Sequence, residues 1–256
     1  MSVLSHLQET VTAVQIADWE RTSIDRSIDS LSTKLRNYFT NLSSKFVFGS
    51  YDRRTILRRS KDANSDVDYM VVFNDGGNYK PQTLMTRLKT FAEANYSKNE
   101  IYQETPTIVL ELSHIKFELA PAYNSYGTYY IPAPASSYSD WISTNPSQMK
   151  TDLNNKHCAN NYLIRDVILL LKYWNVKNSK VYSSYELERY VIDHWFFFCT
   201  NLKEYFYSAV EGLQTYNLPL YKSAKVDNLK QIVTNTKKYE LDNMPIYAES
   251  EIKKAF

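Results

Sequence analysis

Asp66 and Asp68 stand two residues apart at the head of an apolar run, Asp66-Val-Asp-Tyr-Met-Val-Val-Phe73. β-Branched and aromatic residues dominate that run, so it reads as a buried strand. Side chains at i and i+2 of a strand share a face. Both carboxylates therefore leave the sheet on one side and can share cations. Carboxylate oxygens are hard ligands, and Mg²⁺ is typically held by one or two of them together with substrate phosphates. Earlier in the chain, Gly49-Ser50 follows the apolar run Lys45 to Phe48. A glycine there permits a tight turn and close backbone approach to a ligand. Ser50 offers a hydroxyl and an N–H to a phosphate. An isolated Asp-x-Asp more often marks a strand end or a helix cap. A phosphate-holding turn followed by a metal-holding strand points instead to phosphoryl or nucleotidyl transfer.

The 256 residues suffice for one large domain or two lobes. Hydrophobic residues at 43% and charged residues at 23% are ordinary for a globular protein. A net charge of +2 is too mild for a nucleic-acid coat, so any such contact must come from a local patch. The two cysteines, Cys158 and Cys199, form no Cys-x-x-Cys or Cys/His cluster, which argues against zinc and a disulfide framework. The N-terminus lacks the charged start and apolar core of a signal peptide, and the richest apolar stretch, Val191 to Thr200, is broken by Asp193 and His194. A cytoplasmic protein is expected. The 22 tyrosines include candidates for base stacking, with compositional drift the plainer account of most.

The opening Gly49-Ser50-Tyr51-x-Arg53-x-Thr55, a loop, and Asp66-x-Asp68 at the head of an apolar strand resemble the signature of the DNA polymerase β-like nucleotidyltransferase superfamily. Within it, they are similar to the branch of the bacterial CD-NTases (SMODS-type), the oligoadenylate synthases and cyclic GMP–AMP synthase. That resemblance implies an α/β fold: a polymerase β-like core with a mixed sheet and a long N-terminal spine helix, plus a C-terminal helical lobe. It also implies a third carboxylate three residues before Pro-Ala, which here is Glu118 before Pro121-Ala122; the family usually has Asp there, Glu111 is the competing candidate, and the plainer reading of Glu118 is an ion pair with a lysine. Together these acids would bind two Mg²⁺, with Mn²⁺ as an alternative. A second match is Leu163-Ile-Arg…Leu171-Lys-Tyr-Trp-Asn175…Ser184-Tyr-x-Leu-Glu188. By resemblance, Lys172 and Ser184 hold the nucleotide triphosphate and Tyr185 stacks on a base. A lysine and a helix N-terminus are sound phosphate partners.

The elements that must position these residues follow from periodicity. Apolar residues from Leu4 to Leu42 recur at spacings of three and four, giving one or two amphipathic helices, with a coiled-coil dimer as runner-up. Arg53, Arg54, Arg58, Arg59 and Lys61 make either a solvated loop or a basic lip over phosphates. Thr83 to Ala94 reads as a helix; Thr107–Leu112 and Ile115–Ala122 read as two strands joined at Ser113-His114. Gly127 to Pro132 is a short strand or turn, and 132–139 the crossing between lobes. The expected domains are residues 1–135, carrying the carboxylates, and 136–256, closing over the nucleotide. Helices are expected over 160–175, from Ser183 or Ser184 to Cys199, and over 247–256, with Trp174, Leu187 and Trp195 in the core and a break at Leu218-Pro219. The chain is shorter than many CD-NTases, so a reduced helical lobe is expected.

The resulting expectation is an Mg²⁺-dependent, ATP-binding type of nucleotidyltransferase. It would join NTPs or dNTPs into a nucleotide second messenger or oligonucleotide signal in bacterial anti-phage defence, read by a separate effector protein. Alternatives are a template-independent polymerase of linear (deoxy)oligonucleotides, nucleotidylation of tRNA or protein, and an inactive nucleotide-binding sensor. The base, the sugar, ring closure and the oligomeric state are not encoded in these motifs.

Overall fold

A computed structural model of the chain describes residues 2–134 and 140–256. It divides into two compact units: a sheet unit of Ile16–Arg59 and Ala63–Lys150, and a helical unit of the residues through Gln15, 60–62 and Thr151–Phe256. The boundary expected between 135 and 136 lies outside the described residues, as does most of the crossing expected at 132–139.

The expected spine is built from two helices, α1 (Val3–Val14) and α2 (Asp18–Tyr38). They separate where Gln15 and Ala17 turn extended. Glu20 then caps α2 by accepting the Ala17 N–H at 2.9 Å. The two helices belong to different units, α1 to the helical and α2 to the sheet unit.

In the sheet unit, β1 (Leu42–Val47) leads into the short helix α3 (Gly49–Arg53), followed by β2 (Asp66–Phe73) and α4 (Pro81–Asn95). Then come β3 (Glu100–Glu104), β4 (Thr107–Glu111), β5 (Lys116–Ser125), β6 (Thr128–Pro132) and β7 (Trp141–Thr144). They form one mixed sheet of seven strands in the order β1-β2-β5-β4-β3, with β6 on β5 and β7 on β6. Only the β2–β5 pairing is parallel among these.

Alternation along β2 assigns its faces. Val67, Tyr69, Val71 and Phe73 pack with Leu31 and Leu35 of α2 and Leu84, Leu88 and Phe91 of α4. Met70 and Val72 face the other way, against Ala122, with Phe46, Phe48, Tyr129 and Ile131 around them. Asp66 and Asp68 share the parity of Met70 and Val72, so they lie on the face away from α2 and α4. Full burial of each such Val, Leu or Phe side chain stabilises the fold by about 1.5–3 kcal/mol. β3 was not foreseen. Four of its five residues are exposed, as befits an edge strand without clean alternation.

The helical unit contains α1 and the later part of α5 (Pro146–Ala159), then α6 (Ile164–Lys177), α7 (Ser184–Asp193), α8 (Leu202–Glu211), α9 (Leu220–Leu241) and α10 (Pro245–Ile252). α1 buries Val3, Leu7, Val11 and Val14 and packs against α6, α8 and α10. Trp174 and Leu187 are core residues, as expected. Trp195 is not, being 74% exposed. The helix expected to reach Cys199 stops at Asp193, because His194 turns extended and its Nε2 lies 3.0 Å from Ser208 Oγ. Trp195 is thereby carried off the helix, with Lys156 over its ring. α9 begins directly after Pro219, where the break was expected, and the tail forms α10 and a final 3-10 turn. Among the described residues, no helix is long and apolar enough to cross a membrane.

His157, in α5, provides a pH test of the helical unit. Its Nδ1 accepts the Arg165 N–H at 3.4 Å. Burial first, and then the Arg165 charge, hold the imidazole down from 6.5 to about 4. The folded state therefore resists a proton that the unfolded chain accepts near pH 6.5. The resulting stability is fully present above that pH and is lost as pH falls towards 4. The urea midpoint of the wild type should fall more steeply between pH 6.5 and 4 than that of His157→Gln. Equal slopes would show that the ring is not held neutral.

Candidate active site

The acids come together through the parallel pair. Asp66 lies beside Lys116, and Asp68 beside Glu118, in the β2–β5 register. Neighbouring strands run about 4.8 Å apart, so the four side chains form a compact group on one face. Glu118 thus stands next to Asp68. Glu111 does not: it is on β4, opposite Lys116, and pairs with Arg59.

Lys116 was not singled out by the motifs. Its Nζ lies 2.8 Å from Glu118 Oε1 and 3.5 Å from Asp66 Oδ2, and its side chain is only 12% exposed. Burial works against its charge, but the hydrogen bond to Glu118 and the charges of Glu118 and Asp66 prevail and raise its pKa. The Asp66 carboxyl is pushed up to about 8, first by burial, then by the charges of Asp68 and Glu118, with Lys116 opposing.

Gly49 shapes the other side of the group. Its φ is +69°, and a Cβ built there would fall 1.7 Å from Asp68 Oδ2. The Phe48 N–H donates to the Asp68 carbonyl at 3.0 Å, bringing the turn against β2. Much of the Gly-Ser-Tyr-x-Arg-x-Thr stretch braces this turn. Tyr51, Arg53 and Thr55 are buried. The Tyr51 hydroxyl donates to Asp25 at 2.7 Å, and the Thr55 N–H to the Ser50 carbonyl at 2.9 Å. Two arginines of the stretch that reads as either a solvated loop or a basic lip are engaged within the unit: Arg58 with Glu20 at 2.9 Å, and Arg59 with Glu111.

The donor chemistry fits Mg²⁺ or Mn²⁺. Asp66, Asp68 and Glu118 offer hard oxygens, and the missing side chain of Gly49 leaves the Asp68 carboxylate its place. Among the described residues, no three acidic, His or Cys side chains are gathered as a ready metal cage. Lys116 bridges Asp66 and Glu118 instead.

In the helical unit, Ser183 is the N-cap of α7. Its Oγ accepts the Glu186 N–H at 3.2 Å, while Glu186 accepts the Ser183 N–H at 3.0 Å. Ser184 is the first residue of the helix, and Tyr185 is 62% exposed. Lys172, on α6, is 5% exposed and ion-paired with Glu188, itself 1% exposed. Glu188 closes the quoted Ser-Tyr-x-Leu-Glu stretch, and its signal was present there: a carboxylate on a buried helix face requires a charged partner.

The Gly49–Asp68 approach can be tested by coupling. An alanine at φ +69° costs roughly 1–2 kcal/mol of backbone strain. Gly49→Ala should cost more than that in urea unfolding, because its methyl also displaces the carboxylate. Gly49→Ala in an Asp68→Ala background should lose less, because the carboxylate is gone and only the backbone strain and the residual 2.9 Å approach to the Cβ of residue 68 remain. Purely additive effects would show that the close approach is absent.

The first 157 residues match the family model of the Second Messenger Oligonucleotide or Dinucleotide Synthetase domain, SMODS. The chain is 28% identical over 250 residues to a Bacillus cereus (strain VD146) protein named as a probable cyclic nucleotide synthase, across 77% of this chain and 73% of that one. Its fold is similar to Bradyrhizobium diazoefficiens CD-NTase CdnG, solved with GTP, at a TM-score of 0.75 and 9% identity over 99% of this chain and 98% of that one. It is also similar to E. coli MS115-1 CdnC, solved with HORMA-deltaN, at a TM-score of 0.72 and 13% identity over 99% and 97% of the two chains. The Asp-x-Asp strand, the mixed sheet and the family match agree: the chain belongs to the SMODS family of CD-NTases and is a nucleotidyltransferase with a polymerase β-like core.

Proposed function

We propose that the chain makes a cyclic nucleotide second messenger from NTPs, with Asp66, Asp68 and Glu118 as the catalytic carboxylates. The observation that carries this is the β2–β5 register, which sets Glu118 beside Asp68 on the face that also bears Asp66. In this reading Asp66, Asp68 and Glu118 would hold two Mg²⁺, which would supply positive charge for the incoming triphosphate and a lowered pKa for the attacking hydroxyl. Gly49 keeps the Asp68 carboxylate close to the turn, and Ser50 supplies a hydroxyl and an N–H to phosphate oxygens. Lys172 and Ser184 hold the rest of the triphosphate, Lys172 sharing its charge between phosphate and Glu188, and Tyr185 stacks on a base.

A ribose hydroxyl oxygen then bonds to the α-phosphorus, the bond from that phosphorus to the β-phosphate oxygen breaks, and pyrophosphate leaves. The hydroxyl proton passes to solvent. Orientation and charge placement supply the catalysis, with no covalent enzyme intermediate. The cyclic product is favoured over a linear one by the name of the Bacillus cereus relative. Bacterial anti-phage signalling through a separate effector, in the cytoplasm, is the setting that this chemistry serves. CdnC was solved with a HORMA-deltaN partner, so a regulatory partner for this chain is part of the proposal.

Product analysis tests it. The purified protein is incubated with each labelled NTP and dNTP, alone and mixed, with Mg²⁺ or Mn²⁺, beside Asp66→Asn/Asp68→Asn. A small phosphatase-resistant product, lost at least about a thousandfold in the double variant, is expected. A phosphatase-sensitive ladder would replace ring closure with linear polymerisation. Label on the protein or on added tRNA would redirect the reading to nucleotidylation of those acceptors. Metal-independent nucleotide binding without turnover in either protein would establish the sensor instead.

A further inference from the structure

We infer that Lys116 is a resident counter-cation of the acid edge, one that must withdraw from Asp66 and Glu118 before a divalent ion can take both carboxylates. This rests on the proposed reading of Asp66, Asp68 and Glu118 as metal ligands.

The geometry is specific. Lys116 is two residues before Glu118 on β5, so both project from one face, and it is the register neighbour of Asp66 on β2. Its ammonium reaches both acids, at 2.8 Å and 3.5 Å. With a side chain only 12% exposed, it is not a solvated surface lysine brushing past. With all three acids ionised, as a bound divalent ion requires, the carboxylates and the ammonium carry a formal charge of −2, so the lysine cancels part of what would attract the ion. An ammonium has three donors on a flexible stem and needs no fixed coordination geometry. It can therefore hold the acids in place before metal arrives.

The structure also supplies somewhere for Lys116 to go. Glu111 lies directly opposite it on β4, on the same sheet face, where cross-strand side chains are within reach. Glu111 already pairs with Arg59, and accepting a second cation suits a carboxylate with two oxygens. The residue that competed with Glu118 in the sequence thus acquires a different part, as the receiving partner of the displaced ammonium. The consequence is a site tuned to require more divalent ion than its acids alone would need.

The experiment is a titration of the full chain with Mn²⁺ alone, followed by electron paramagnetic resonance and calorimetry. Wild type, Lys116→Met, Lys116→Arg and Asp66→Asn/Asp68→Asn are compared, with thermal unfolding recorded for each without and with the metal. Removing one unit charge at this range should tighten Mn²⁺ binding about tenfold in Lys116→Met. It should also lower the metal-free midpoint, with Mn²⁺ restoring it. Lys116→Arg should bind Mn²⁺ close to wild type. If Lys116→Met fails to fold without metal, Lys116→Gln serves for the same comparison. Equal or weaker Mn²⁺ binding in the neutral variants, with loss of binding in Asp66→Asn/Asp68→Asn, overturns the role of Lys116 while leaving the metal reading intact. Undiminished binding in the double Asn variant overturns both.

Discussion

The parallel pairing of β2 with β5 is the constraint on which the site depends. Parallel neighbours need a long crossover, and here the chain makes α4, β3 and β4 before β5 returns beside β2. Its register is fixed by packing rather than by the acids. Val67, Tyr69 and Val71 from β2 and Phe117 and Leu119 from β5 are buried together against α2 and α4. A slip of one residue would move Glu118 into that core and bring Leu119 out beside the aspartates. The apolar alternation that stabilises the sheet therefore also places the carboxylates.

Placing three acids side by side costs stability, and the structure meets that cost locally. Lys116 supplies positive charge from the same strand as Glu118, and Asp66 holds its proton to far higher pH than an exposed carboxyl. Gly49 contributes by being small: its backbone adopts a conformation that side chains avoid, against the very atom that a side chain would strike. Tyr51, Arg53 and Thr55 fix that turn from beneath. A short motif in the sequence thus divides into residues positioned for chemistry and residues that hold them there.

What could be read in the sequence was whatever depends on local pattern. The Asp66–Phe73 strand declared itself by composition, and the two aspartates by their spacing. The Thr107–Leu112 and Ile115–Ala122 strands were visible for the same reason. The side-by-side placement of Asp68 and Glu118 came from resemblance alone, since pairing between strands is non-local. Lys116 and Glu188 were passed over because a charged residue in an apolar run declares a partner without naming it; only the register and the α6–α7 packing do so. Trp195 misled because its neighbours continue the apolar pattern of α7, while a hydrogen bond between His194 and Ser208 from a later helix ends that helix early. β3 has too little alternation to register, being paired along one edge and exposed over most of its length.

The division of the two N-terminal helices between units bears on how the chain comes to be folded. α2 finds its partners among residues made soon after it, in α4 and β1. α1 does not. Its buried face of Val3, Leu7, Val11 and Val14 packs on α6, α8 and α10, all made after the sheet unit is complete. At ribosomal rates that interval is on the order of ten seconds. Through it, the apolar stripe of α1 is without its native cover, and the helical unit cannot close until α10 has been made. A segment with such distant partners raises contact order and slows the last step of folding. A truncated chain lacking α8–α10 would leave the hydrophobic face of α1 with much of its seat missing.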